Sequence, residues 1–274
     1  MEIITQQNAP KISIAKKLMM VLLILIVTQI TFQIGVYVAY FVRDNYFAGD
    51  DYVFNSVFKL IYLITILIAL FVATRFVKSD WGFSLENLKL KKKSFIILLI
   101  CWFLLFVLLL VANYISPDSQ YTGLKWYQAI LGFIYLTFGA GITEEILFRA
   151  LAITLLYGMF GSLIYKYKFT SNDMVISKKK KVENPKKYEW VFSISIATII
   201  SAVIFSLQHI SYRIYPFVIF RLNWSQVVFA LIFGLIAGII FEKTKSVYHV
   251  IVIHCIIDSI SGFSILFSFL FRMR

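Results

Sequence analysis

Long apolar runs broken by short polar loops set the pattern of this 274-residue chain. A polar, basic segment at residues 1–17 leads into a first apolar run, Leu18–Val42, and a polar loop, Arg43–Ser56, with Asp44, Asp50 and Asp51 follows. Further runs cover Val57–Val77 and Phe95–Ile115, separated by a loop carrying Lys78, Lys89, Lys91, Lys92 and Lys93. After a short loop, Ser116–Trp126, residues 127–165 form a central apolar segment. A crossing takes roughly 20 residues at 1.5 Å each, so this segment is too long for one straight span, and Gly139 and Gly141 mark a kink or break. The stretch Lys166–Glu189, with eight lysines, interrupts the pattern before three more runs at Trp190–Tyr212, Ser225–Phe241 and Ser246–Phe271. These runs are apolar on all sides, as helices buried in lipid are. The expectation is an all-α polytopic membrane protein, a bundle of seven transmembrane helices, or eight if the last run breaks near Gly262.

Composition agrees. The chain is 60% hydrophobic and 15% charged, with mean hydropathy +0.83; soluble domains are about half apolar and a quarter charged. The net charge of +13 does not gather on one water-exposed face, as nucleic-acid binding needs. It sits in short loops, so no nucleic-acid partner is expected and the partner surface is membrane lipid. Lysine and arginine concentrate in the N-terminal segment, in Arg75–Lys93 and in Lys166–Lys187, and the positive-inside rule puts all three in the cytoplasm. Residues 127–165 then cross once as a long, kinked span. The run behind Lys16 and Lys17 is longer than a signal-peptide core and is read as a span. Cys101 and Cys255 both lie in apolar runs and imply no disulfide framework or metal motif.

Chemistry concentrates in a few places. Between Lys125 and Lys166 the only charges are Glu144, Glu145 and Arg149, and charge at membrane depth marks function by default. Glu145 and Arg149 are four apart and pair along one helix; Glu144, about 100° round the helix, lacks a local partner. All three histidines lie in the last third of the chain. His254 and Asp258 share a helix face, and His209 follows Phe205 by four. Two chemistries fit. Glu144 and His209 activate a water while His254 and residue 258 stabilise the oxyanion, or His209, His254 and a carboxylate hold Zn²⁺. Either predicts amide hydrolysis in an intramembrane cavity.

The segments Glu144-Glu145-x-x-x-Arg149, Phe205-x-x-x-His209 and His254-x-x-x-Asp258 resemble the three motifs of the CPBP intramembrane proteases, which comprise the CAAX prenyl endoproteases and the bacteriocin-processing or immunity proteins of the Abi family. The resemblance covers about residues 125–271, and it divides the chain into 1–124, a basic segment with three transmembrane helices, and 125–274, a catalytic membrane domain. It implies an eight-helix-like bundle with Glu144 and His209 as catalytic residues. His254 and Asp258 become oxyanion stabilisers, and Glu145 and Arg149 become supports. The implied substrate is a membrane-associated peptide or protein, and the implied location is a bacterial plasma membrane. The family is often described as metallo-endopeptidase, although its metal requirement is disputed. Eukaryotic prenyl proteases have asparagine where this chain has Asp258. An ionised aspartate cannot donate to an oxyanion, so Asp258 is protonated, orients His254 or binds a metal.

Other readings weigh against these. The acid pair fits a helix N-terminus capped by Thr143, His209 fits a helix–helix hydrogen bond, and His249 reads as interfacial. Gly234-x-x-x-Gly238 fits close helix packing; Lys178–Lys181 fits a loop attracted to anionic lipid. A non-catalytic immunity or scaffold protein would keep the fold without hydrolysis, and a proton-coupled transporter would use Glu144 and the histidines as a relay. The run boundaries also set His209 and His254 at different depths, which a helix continuing past Tyr212 toward Pro216, with Arg213 turned inward, would remedy.

Overall fold

A computed structural model describes residues 2–4, 13–77, 79–84, 107, 111, 124–160, 164–169, 190–213 and 218–272. The span expected at 95–115, apart from Val107 and Val111, and the Lys178–Lys181 run lie outside the described residues. Helix α1 (Ile14–Tyr46) begins at Ser13, whose hydroxyl accepts the Lys16 amide. A tight turn at Ala48 and Gly49, both at positive φ, reverses the chain. Helix α2 (Asp51–Phe76) then starts behind Asp50, whose carboxylate accepts the amides of Tyr52 and Val53. So short a connection makes the two helices antiparallel neighbours.

Helix α3 is the central segment. It is α-helical over Trp126–Ile134, π-helical over Tyr135–Gly139, α-helical over Ala140–Glu145, π-helical over Ile146–Ile153 and α-helical over Thr154–Phe160. It is one long span with altered winding on both sides of the acid pair. Such π-turns re-aim side chains and cluster at functional sites. Thr143 does not cap a helix here: its hydroxyl donates back to the carbonyls of Gly139 and Ala140 within α3.

The expected span at Trp190–Tyr212 is corrected. Residues Trp190–Ser195 form a strand, β3, and only Ile196–Leu207 are helical, as α4. Strand β3 pairs antiparallel with β2 (Ile164–Phe169), which pairs with β1 (Glu2–Ile4). The N-terminal segment and both ends of the lysine-rich stretch thus meet in one small sheet. The hydroxyl of Ser195 ends the sheet and caps α4 by accepting the Thr198 amide. At twelve residues, α4 is about 18 Å long, short of a hydrocarbon core of about 30 Å. Its C-terminus therefore stops partway through the bundle. The chain turns at Gln208 and His209 and enters a hairpin of β4 (Ser211–Arg213) and β5 (Val218–Arg221). The helix does not continue toward Pro216.

Helix α5 (Trp224–Thr244) and helix α6 (Val247–Arg272) complete the bundle. Helix α6 runs unbroken through Gly262, so the last apolar run is one helix. Among the described residues, five helices are long and apolar enough to cross a membrane, and α4 is a shorter apolar helix. The packing is that of a protein solvated by lipid. On α1 the large residues Leu22, Ile26, Ile30 and Phe41 face outward, while Thr28, Thr31, Gly35 and Ala39 face inward. Small inward residues let membrane helices approach closely. The pair Gly234 and Gly238 does this for α5: a Cβ on Gly234 would lie 3.1 Å from the Ala202 backbone, and one on Gly238 2.6 Å from the Thr198 methyl.

Candidate active site

The shortened α4 and the close approach of α6 to α3 bring three distant segments to one depth. A cavity of about 440 Å³ opens between α2, α3, α4 and α6, lined by Glu144, His209, His254 and Asp258, with Lys59 and Gln208 beside them. Phe32, Phe58, Phe148 and Phe205 supply apolar wall. The acid of the first motif and both motif histidines therefore share a chamber, and the depth difference expected from the run boundaries is absent.

The two adjacent glutamates have separate surroundings. Glu145 is fully buried, with Oε2 2.9 Å from Arg149 Nε, one helical turn on. Arg149, also buried, stacks its guanidinium 4.9 Å from the Phe205 ring centre. Its nitrogens meet no hydrogen-bond partner of good angle among the described residues, so the ion pair and the ring hold it. The other oxygen of Glu145 lies 2.8 Å from His254 Nδ1. Arginine keeps its proton in proteins, so Glu145 is the acceptor and His254 Nδ1–H the donor. This second partner of Glu145 lies on another helix, beyond what local spacing reveals.

Glu144, expected to lack a local partner, finds one on another helix: Lys59 Nζ, from α2, lies 3.2 Å from its Oε1. Lys59 is a charged residue of the cavity that the sequence motifs do not single out. The signal was present, since it is the only charge within the apolar run Val57–Val77 apart from Arg75 at its edge.

His209 sits just past α4 and donates Nδ1–H to the Phe205 carbonyl at 3.0 Å. A carbonyl only accepts, so in the neutral ring the lone pair is at Nε2. The Phe205 ring touches both histidines, with centroids 4.9 Å from His209 and 6.3 Å from His254, which gives the Phe205-x-x-x-His209 spacing its physical content. Asp258 Oδ2 lies 3.4 Å from His254 Nε2, so the His254 ring stands between two carboxylates. His249, read as interfacial, is buried at 5% exposure and does not line the cavity. Among the described residues no group of three His, Cys, Asp or Glu side chains is arranged to hold a metal ion. The pair proposed for one, His209 and His254, lines the cavity without a third such ligand arranged with it among the described residues.

Close backbone contact makes this arrangement possible. A Cβ on Gly141 would fall 2.7 Å from Cys255 Sγ and 3.0 Å from the Cys255 amide, so only glycine lets α6 lie near enough for His254 to reach Glu145.

Residues 125–260 match a family described as Type II CAAX prenyl endopeptidase Rce1-like. The match contains all three motifs, from Glu144 to Asp258, and leaves Lys59 outside. No curated protein and no solved structure matches the chain. Through residues 125–260, which carry Glu144, His209, His254 and Asp258, the chain belongs to the Rce1-like type II CAAX prenyl endopeptidases, within the intramembrane CPBP proteases, as an integral membrane protein.

Proposed function

We propose that the protein cleaves a peptide bond of a membrane-associated peptide or protein inside the bundle, with Glu144 and His209 activating the attacking water. The observation that carries this is the single cavity shared by Glu144, His209, His254 and Asp258. The ionised Glu144 carboxylate takes a proton from water, and His209 Nε2 holds the water by its second hydrogen. The water oxygen bonds to the carbonyl carbon, and the carbonyl oxygen gains the negative charge. His254 Nε2–H, now facing Asp258, is the donor for that oxyanion. Glu145, itself fixed by Arg149, sets the ring's orientation through Nδ1–H. The C–N bond then breaks, and the proton taken by Glu144 passes to the leaving amine. In this scheme Asp258 orients and charges His254 and does not itself contact the oxyanion, which accounts for aspartate at a position where prenyl proteases carry asparagine.

The mechanism routes no step through a metal. The substrate class proposed is a bacterial bacteriocin leader, signalling-peptide precursor or self-immunity target. The sheet that joins the N-terminal segment to the ends of the lysine-rich stretch supports one shared side for both, and the positive-inside rule makes it cytoplasmic. The test is cleavage by protein reconstituted in liposomes: Glu144→Gln and His209→Ala are each expected to abolish it, and proteolysis retained by either variant removes that residue from the mechanism.

A further inference from the structure

We infer that Lys59 is a positioning residue of the active site: its ammonium keeps the Glu144 carboxylate ionised and aimed into the cavity. The inference rests on the reading of Glu144 as the base. Lys59 lies on α2, outside the segment that matches the protease family, so the family motifs assign it nothing.

Several observations converge on it. The Nζ to Oε1 distance is 3.2 Å, and the two side chains are 20% and 17% exposed. A lysine or glutamate alone at membrane depth is unfavourable, and pairing removes the reason for either to go neutral. The lysine stem is held as well as its head. A Cβ on Gly139 would lie 3.1 Å from Lys59 Cγ and 3.2 Å from its Cβ, so the missing side chain there is the groove in which the stem lies across α3. The ammonium also sits 5.6 Å from the Phe58 ring centre. Backbone shape and ring together direct a flexible side chain at one carboxylate oxygen.

The chemistry needs such a group. A carboxylate partly buried beside apolar wall is favoured to take up a proton, and a protonated carboxyl has lost its capacity as a base. Facing Glu144 are Lys59 and Tyr62 from α2, His209 beyond α4, His254 and Asp258 from α6, and Arg149 on its own helix. Arg149 is committed to Glu145, and His254 lies between Glu145 and Asp258. Lys59 is the cation in direct contact with Glu144.

The experiment uses full-length protein in detergent and liposomes, with Lys59→Met, Lys59→Arg, Glu144→Gln and the Lys59→Met/Glu144→Gln double variant. Activity is followed on a synthetic copy of whichever peptide accumulates in cells carrying Glu144→Gln. Lys59→Met is expected to lower kcat near neutral pH with KM within about twofold, to move the acid limb of the rate profile up by about one pH unit or more, and to recover activity at alkaline pH. Lys59→Arg keeps the wild-type limb. An unmoved limb in Lys59→Met, or loss of activity at every pH in both Lys59 variants, overturns the inference. A second readout is independent of catalysis: the melting temperatures of the four proteins form a cycle, and the double variant is expected to lose less than the sum of the single losses. Additive losses overturn the pair. Activity persisting in Glu144→Gln contradicts the proposed function itself, whatever Lys59 does.

Discussion

His254 Nδ1 lies 2.8 Å from Glu145 Oε1, across 109 residues of sequence. The contact joins the first motif to the third and turns a helix-local ion pair into a three-member chain, Arg149–Glu145–His254. Its members are almost wholly enclosed, so removing one leaves an uncompensated buried charge. Glu145→Ala is expected to destabilise the fold by about 3–5 kcal/mol, read by thermal or denaturant unfolding in detergent. A Glu145→Ala/Arg149→Met double variant should lose less than the two single variants combined. Additive losses would show that the chain is not coupled.

The close approach of α6 to α3 makes a steric prediction. Gly141→Ala places a methyl group against Cys255, and overpacking of this kind typically costs about 1–3 kcal/mol. Separating the helices also draws His254 away from Glu145, so activity should fall more than stability. Wild-type turnover in a folded Gly141→Ala protein would count against the need for that contact.

Asp50 ties the other end of the bundle. It caps α2 and accepts the Tyr127 hydroxyl at 2.9 Å and the Gln128 amide at 2.8 Å, both from the start of α3. Burial pushes its carboxyl up, but the hydrogen bonds from Gln128, Tyr127 and the amides of Val53 and Tyr52 outweigh it and hold the group below the usual carboxylate range. A lowered folded-state value gives stability that is present above the unfolded-state pKa and is lost as pH falls through the folded one. Asp50→Ala should cost about 1–2 kcal/mol at neutral pH through the lost cap and should show a smaller loss on acidification. An acid transition unchanged by the substitution would rule out Asp50 as a contributor.

The proposed mechanism routes no step through a metal, so metal removal is expected to leave the reaction intact. Treatment with 1,10-phenanthroline or EDTA is expected to leave proteolysis by reconstituted protein unchanged. Loss of activity that returns on adding Zn²⁺ would contradict the metal-free scheme.

Much of the site was legible in the sequence because charge is conspicuous in apolar helices. Glu144, Glu145 and Arg149 stand out against lipid-facing residues, and four-residue spacing pairs Glu145 with Arg149 and His254 with Asp258. Contacts between helices were not legible. Lys59 and Glu144 lie 85 residues apart, and no periodicity within either helix specifies their meeting. The depth of His209 was misjudged for a different reason. Hydropathy treats Trp190–Tyr212 as one run, yet short apolar stretches do not distinguish strand from helix. The alternation in Tyr165-Lys166-Tyr167-Lys168-Phe169 was a strand signal, and its pairing with Trp190–Ser195 removes the residues that would have made α4 a full span.

The central claim is that Glu144 performs the chemistry. Its most direct test is a comparison of the membrane-associated peptides in cells carrying wild-type protein and in cells carrying Glu144→Gln at equal abundance. The account predicts at least one peptide that is cleaved in the wild-type cells and accumulates uncleaved with Glu144→Gln. Identical peptide populations, with the physiological effect of the protein intact in the variant, would contradict it and favour a protein that keeps the protease fold but works by binding.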